Sequence, residues 1–260
     1  MQAIILSAGQ GRRLLPWTHH VPKCLLTFAG KTLLAWQLEA LAAAGVTEAV
    51  VVTGFQPRAI EGEIERAAPP DLTVSTTYNP FFGVADNIAS VWLVRDRLAG
   101  EVVLLNGDTL FEPSVLAKVM AEAERPVTVT VDRKAVYDAD DMKVQLAGER
   151  VLRIGKTLPP DSTNAESIGM LAFKGLGGSL FASAVEAVVA QPSGVSRWYL
   201  SAVDDLAAKG VVGAVSIAGQ GWCEVDYPGD LGRAEQLARG WVHRRNGRQP
   251  ESPLPYPLAN

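Results

Sequence analysis

Cysteine is scarce in this chain. Cys24 and Cys223 are the two present among 260 residues, too few for a disulfide framework and a poor basis for a metal site. Histidine numbers three, with His19 and His20 side by side in a loop-like stretch, so imidazole-based catalysis is not expected. No apolar run approaches membrane-spanning length. The run at residues 3–8 is too short for a secretory h-region and has no basic residue before it. A cytoplasmic location without membrane contact is the expectation. Positive charge is not in surplus either: 24 Lys and Arg stand against 28 Asp and Glu, a net −4, which argues against a general nucleic-acid binder. What remains is ordinary for a globular chain, at 48% hydrophobic and 20% charged.

The placement of charge says more than its sum. Residues 2–7 (Gln-Ala-Ile-Ile-Leu-Ser) read as a short strand that runs into Ala8-Gly9-Gln10-Gly11. Glycine carries no Cβ, so backbone N–H groups there can close on an anion. Arg12, Arg13, Lys23 and Lys31 follow, and Glu39 is the first carboxylate of the chain. A cationic opening in an acidic protein marks a place for negative charge. Two common phosphate motifs fail to match. Leu14 stands where a dinucleotide fingerprint has its third glycine, and Leu25 where a Walker A loop ending in Gly30-Lys31-Thr32 has its first. The stretch from Gly9 to Gly30 is far longer than a βα turn. Its two arginines, lysine and two prolines predict a wrap around a triphosphate.

Uniformly apolar runs at 50–52 and 102–105 predict strands covered on both faces. Leu33, Leu34, Gln37, Leu38 and Leu41 recur with helical spacing up to a C-capping Gly45. Further helices are expected at about 57–67 and about 86–98, the latter capped by Asp86. From 126 the texture changes to period-two alternation, then strand candidates at 142–146, 150–154 and 167–173. Helices at about 178–190 and 197–208 follow, then strands at 211–217 and 222–226 and a last helix near 229–244. The alternation predicts an α/β fold, Rossmann-like, with a mostly parallel mixed sheet and flanking helices. Residues 1–245 read as a single domain, with a nucleotide-binding half at 1–125 and an acceptor-binding half at 126–245. Residues 246–260 form a proline-rich tail.

The run L-S-A-G-Q-G-R-R-L-x-P-x-T-x-x-x-P-K-x-L-x-x-x-x-G-K at residues 6–31 closely resembles the signature of the nucleoside-triphosphate transferases, which include the sugar-1-phosphate and phosphocholine nucleotidyltransferases. The resemblance extends over 1–240. Asn106-Gly107-Asp108 is similar to the family's strand-end aspartate, and Glu224-Val225-Asp226 to its second acidic strand. Asn87-Ile88-Ala89-Ser90 and Trp198-Tyr199 look most like the phosphocholine cytidylyltransferase branch. The resemblance implies a GT-A-like nucleotidyltransferase fold, Mg²⁺, a nucleoside triphosphate with CTP favoured, and a small phosphorylated acceptor. A sugar-1-phosphate uridylyl- or thymidylyltransferase is the alternative.

By the same resemblance Arg13, Lys23, Asp108 and Asp226 are catalytic, with Arg13 on the triphosphate and Lys23 at the α-phosphate. Asp108, Glu224 and Asp226 are the metal candidates, as hard oxygen donors suited to Mg²⁺ shared with phosphates. Ser7, Ala8, Gly9 and Gly11 lie against the nucleotide, while Asn79, Gly83, Asn87 and Ser90 are candidates for the base edge. Lys156 is placed near the acceptor phosphate. An ionised phosphate is already a nucleophile, so alignment and charge neutralisation suffice without a general base. A quaternary ammonium is held by aromatic faces beside a carboxylate. Tyr137, Trp198, Tyr199 and Trp222 are the aromatic candidates, with Glu166 or one of Asp138, Asp140 and Asp141 as the acid. Structural explanations compete throughout: core packing for the aromatics, turn chemistry around Asn79 and Asp86, and a solvated helix face for Arg239, His243, Arg244, Arg245 and Arg248. Self-association into a homo-oligomer is left open.

Overall fold

The apolar runs of the first half do become strands. The computed structural model describes residues 1–245, and the expected tail at 246–260, with Arg248, lies outside the described residues. In order come β1 (Gln2–Ser7), β2 (Thr27–Phe28), β3 (Lys31–Thr32), α1 (Leu33–Ala43), β4 (Glu48–Thr53), α2 (Pro57–Ala67), β5 (Thr73–Tyr78), α3 (Asn87–Leu93), β6 (Val102–Asn106), β7 (Thr109–Phe111) and α4 (Pro113–Glu122). The second half adds β8 (Val127–Asp132), β9 (Lys143–Ala147), β10 (Arg150–Ile154), β11 (Ala165–Phe173), α5 (Gly177–Val189), α6 (Leu200–Ala207), β12 (Val212–Ser216), β13 (Trp222–Glu224) and α7 (Pro228–Arg245).

Nine strands form one sheet in the order β5-β4-β1-β6-β11-β8-β12-β10-β9. From β5 to β6 the pairings are parallel, as expected. Beyond β6 they are not mostly parallel. β11 runs antiparallel to both β6 and β8, and β9 and β10 form a hairpin. The reason lies in the connections, since a short turn joins β9 to β10 where a parallel pair needs a crossover helix.

Side chains alternate across each strand, and here both faces are covered. Ile4, Val52 and Leu104 pack on the side of α3, α5 and α6, while Ala3, Ile5, Val51 and Leu105 pack on the side of α1, α2 and α4. Each such leucine or isoleucine contributes about 2 kcal/mol on burial. α1 starts where Thr32 Oγ1 accepts from the Ala35 N–H at 3.0 Å and stops before Gly45, at φ 80°. Its outer face meets α7, with Trp36 edge-on to Trp241 at 5.6 Å.

The helix expected over 86–98 is shorter. Asp86 does cap it, accepting from the Asn87 N–H, but α3 ends at Leu93 and a separate 3₁₀ turn covers Arg95–Leu98. The strand expected over 222–226 stops at Glu224, because the Asp226 N–H turns to Asp230 Oδ2 at the start of α7. The basic end of α7 is not a plain solvated face. Arg239, Arg244 and Arg245 pair with Glu235, Glu112 and Glu39, which ties α7 to α1 and the β7–α4 junction. Among the described residues no helix is long and apolar enough to cross a membrane.

Candidate active site

β1 and β6 lie side by side and parallel, so the glycine loop and the Gly107-Asp108 turn emerge together at one sheet edge. In open α/β sheets the carboxyl edge is where ligands bind. The Gly107 N–H donates to the Leu6 carbonyl at 3.0 Å. A Cβ on Gly107 would stand 2.4 Å from Ser7 Oγ and 2.5 Å from the Leu6 oxygen, so only glycine lets the turn close on β1. From α1, Gln37 Nε2 donates to the carbonyls of Asn106 and Thr109 at 2.8 and 2.9 Å, pinning the turn on both sides of Asp108. The second acidic segment arrives by strand pairing. β13 runs antiparallel to β7 with Glu224 opposite Thr109, and the Val225 N–H donates to the Asp108 carbonyl at 3.0 Å.

That register brings Asp226 beside Asp108, and Lys23 joins them. Lys23 Nζ lies 2.7 Å from Asp108 Oδ2 and 2.6 Å from Asp226 Oδ1. Gly11, at φ 78°, is needed for its passage, since a Cβ there would come within 2.9 Å of Lys23 Cβ. Burial works against the Lys23 ammonium, but Asp108 and Asp226 outweigh it and hold its pKa above the usual lysine range. Arg13 Nη1 reaches Asp226 Oδ2 at 2.7 Å. Glu224 keeps solvent exposure at its surface, yet desolvation by neighbouring protein atoms, with the charges of Asp108 and Asp226, pushes its carboxyl up to about 8.

Among the described residues no three His, Cys, Asp or Glu side chains are gathered closely enough to hold a metal unaided. The expected trio Asp108, Glu224 and Asp226 is thus no preformed cage. The donors nevertheless fit an ion shared with phosphate oxygens. Asp108 and Asp226 are hard ligands already spanned by one cationic group, and Asp108 Oδ1 is buried with no hydrogen-bond partner among the described residues.

Two adjoining cavities open beside the triad. One, of about 170 Å³, is lined by Ser7, Gly9, Gly11, Lys23, Asn106 and Asp108. The other, of about 260 Å³, is lined by Ala8, Gly9, Asn79, Phe82, Asn87 and Ser90. Asn79 is used up locally, donating to Ser90 Oγ at 2.9 Å and accepting from the Phe81 N–H at 2.8 Å. It therefore orients Ser90, whose hydroxyl proton has no acceptor among the described residues. Asn87 Oδ1 accepts from the Tyr199 N–H at 3.0 Å, which leaves its NH₂ group as a donor. Gly83 sits on an exposed turn outside both linings.

The expected aromatic cage is not assembled. Tyr199 is 0% exposed, with its ring edge-on to Phe181 and its hydroxyl donating to Asn106 Oδ1 at 2.9 Å. It immediately precedes α6, whose apolar side enters the core, so it braces the Asp108 turn and offers no face to an acceptor. Trp222 donates from Nε1 to Asp132 Oδ2. Trp198 is 42% exposed, with Lys156 Nζ 4.8 Å above its ring. Tyr137 carries Lys134 Nζ at 5.9 Å. The two accessible faces are thus already met by lysines. Sequence reasoning also passed over Tyr227, whose ring lies 5.1 Å from the Arg13 guanidinium and whose hydroxyl donates to Asp140. Its position directly after Asp226 was the available signal.

Glu166 faces Lys134 Nζ at 2.9 Å. Burial pushes its carboxyl up to about 7, with Lys134 opposing and Asp141 adding to the rise. The sign of the consequence follows by linkage. A carboxyl raised above its ordinary 4.5 binds a proton in the folded chain that the unfolded chain has lost, so the Glu166 contribution to stability falls as pH climbs through that interval and levels off above about 7. Asp141, held low beside Lys134 despite burial, titrates below its ordinary 3.8 and stays outside the interval. Glu224, also raised, contributes a slope of the same sign, so Glu166→Gln should reduce the slope without abolishing it. Urea midpoints across the interval check it, and an unchanged slope in the variant would refute the assignment.

Residues 2–142 match the nucleotidyl transferase family, and the chain belongs to it. Over 246 residues it is 31% identical to the CMP-5'-(3-aminopropyl)phosphonate synthase of Streptomyces rubellomurinus, covering 90% of this chain and 38% of that protein. Over 259 residues it is 24% identical to the CTP:phosphoglutamine cytidylyltransferase of Campylobacter jejuni, covering 89% of this chain and 98% of that one. The chain spans about half the length, or less, of the first of these and of other curated relatives it matches along most of its own length. In fold it is similar to the inositol-1-phosphate CTP transferase from T. maritima, with a TM-score of 0.77, 22% identity, and 92% and 95% of the two chains covered. The mixed α/β nucleotidyltransferase fold is the one expected.

Proposed function

We propose that this protein is a Mg²⁺-dependent cytidylyltransferase that joins CMP, taken from CTP, to the phosphate of a small amine-bearing alcohol of the phosphocholine type. One observation carries the reading: the ammonium of Lys23 held between Asp108 and Asp226 at the mouth of the glycine loop. An acceptor phosphate oxygen forms the new bond to the α-phosphorus, the bond from that phosphorus to the bridging oxygen of the β-phosphate breaks, and pyrophosphate leaves. Mg²⁺ held by Asp108 and Asp226 would screen the phosphate charge and share its remaining positions with phosphate oxygens. Arg13 offers a planar fork to the triphosphate. Lys23, once free of the carboxylates, supplies a point charge at the α-phosphate, where negative charge grows. Cytosine is favoured because Ser90, its oxygen already engaged by Asn79, presents a donor, and the ring N3 of cytosine is an acceptor where that of uracil is not.

Curated relatives support the choice of nucleotide. Those named for phosphoglutamine and for aminopropylphosphonate use CTP or yield a CMP conjugate by name. The deciding test is pyrophosphate release with CTP, UTP, dTTP and ATP crossed against phosphocholine, other amine phosphates and phosphonates, and glucose-1-phosphate. Turnover with CTP and an amine phosphate is expected. Turnover of glucose-1-phosphate with UTP or dTTP, and none with any amine phosphate, would reverse the proposal.

A further inference from the structure

On the connection from β8 to β9, residues 133–142, one side chain meets two of the cations assigned to phosphate. Asp140 Oδ2 lies 3.5 Å from Arg13 Nη1, and Asp140 Oδ1 lies 3.3 Å from Lys156 Nζ. The Tyr227 hydroxyl donates to Asp140 Oδ2. The loop is shaped to present this carboxylate, since Asp138 Oδ1 accepts from the Asp140 and Asp141 N–H groups at 2.8 and 3.2 Å. Its base is tied by Lys134 Nζ to Asp141 and Glu166. Arg13 is the cation assigned to the nucleotide phosphates, and Lys156 the one assigned to the acceptor phosphate. A single carboxylate therefore bridges the two.

We infer that Asp140 is a gate which takes the place of substrate phosphate in the free protein and is displaced when phosphate arrives. A carboxylate and a phosphate make the same charge-assisted bonds to guanidinium and ammonium, so only one of them can hold Arg13 and Lys156 at a time. Phosphate carries the greater charge and more acceptor oxygens, which lets it win while Asp140 lowers its apparent affinity. Arg13 and Asp140 are about half exposed and Lys156 partly so, so the gate is weak enough to open. Release of Asp140 removes one of the contacts that hold residues 133–142, which include the exposed Arg133 and Lys134. The inference rests on reading Arg13 and Lys156 as the phosphate cations. It does not depend on which base or acceptor is used.

The experiment uses inorganic pyrophosphate with Mg²⁺ as the probe, measured by calorimetry on the full chain. Asp140→Asn keeps the size of the side chain and removes its charge, and should tighten pyrophosphate binding about three- to tenfold. The gain should shrink at high salt, because the contact is screened. Tyr227→Phe, which keeps the carboxylate and removes a bond holding it, should shift affinity the same way by less. Trypsin should cut after Arg133 and Lys134 faster in Asp140→Asn than in the parent. Asp71→Asn, in the connection between α2 and β5, controls for overall charge. Unchanged or weaker pyrophosphate binding in Asp140→Asn overturns the gate, as does an equal gain in Asp71→Asn. Absence of CTP turnover in a parent protein that shows the pyrophosphate effect would sink the cytidylyltransferase reading and leave the gate standing.

Discussion

Asp108→Asn should cost at least about a thousandfold in turnover while the fold survives, since a metal-held phosphate loses its anchoring charge. The two oxygens of this one side chain stand in different surroundings. Oδ2 accepts from Lys23, and Oδ1 is buried without a partner among the described residues. A buried acceptor left bare is costly unless a ligand completes it. In the asparagine variant the amide oxygen turns to Lys23 and the NH₂ group faces the cleft, where it repels the cation that the oxygen would have held. The turn itself keeps its supports, because the bonds from Gln37, the Gly107 N–H and the Val225 N–H are independent of the substituted atom. Circular dichroism and a melting curve should therefore stay close to the parent, while pyrophosphate release falls to background. A variant that retains a tenth of parental turnover would remove Asp108 from the reaction.

How much of this could be read from the sequence depends on how local the cause is. The glycine loop, Thr32 at the start of α1 and the cap at Asp86 are short-range chemistry, and each stands where its residue type places it. The apolar runs of β1, β4 and β6 were legible because a strand covered on both faces needs no polar side. β5 was not, because Thr73–Tyr78 is a polar edge strand with no apolar run and its order comes from pairing with β4. α4 was not anticipated either, although it starts at a proline without a side-chain cap just as the expected α2 does. The convergence of Asp108 with Asp226 was foreseen from the family resemblance. Its cause, the pairing of β13 with β7, is a long-range contact that no local pattern carries. The errors cluster at the acceptor side. Tyr199 and Trp198 are neighbours in sequence with opposite fates, one sealed by α6 and one left at the surface, and only tertiary packing separates them. Lysines over Trp198 and Tyr137 likewise depend on where loop 133–142 lies.

Lys23→Met gives the second large effect and divides it between two states of the protein. Without metal, Lys23 is the cation shared by Asp108 and Asp226. Its removal leaves two carboxylates close together with Arg13 on one of them, and breaking such a largely buried pair destabilises by about 3 kcal/mol. Methionine fills the aliphatic path past Gly11, so the loss comes from charge and not from a void. With Mg²⁺ and nucleotide the roles change. In the parent, metal entry must displace an ammonium from the carboxylates, whereas in the variant the place is vacant. Mg²⁺ should therefore raise the melting temperature of Lys23→Met more than that of the parent, and should half-saturate at a lower concentration. Turnover should not recover with it. The ammonium that moves to the α-phosphate is gone, and a point charge lost from the transition state costs about a hundred- to a thousandfold. Stability regained with Mg²⁺ alongside activity that stays lost would place Lys23 in both states. A variant whose melting temperature ignores Mg²⁺ would mean that Asp108 and Asp226 do not hold the metal at all.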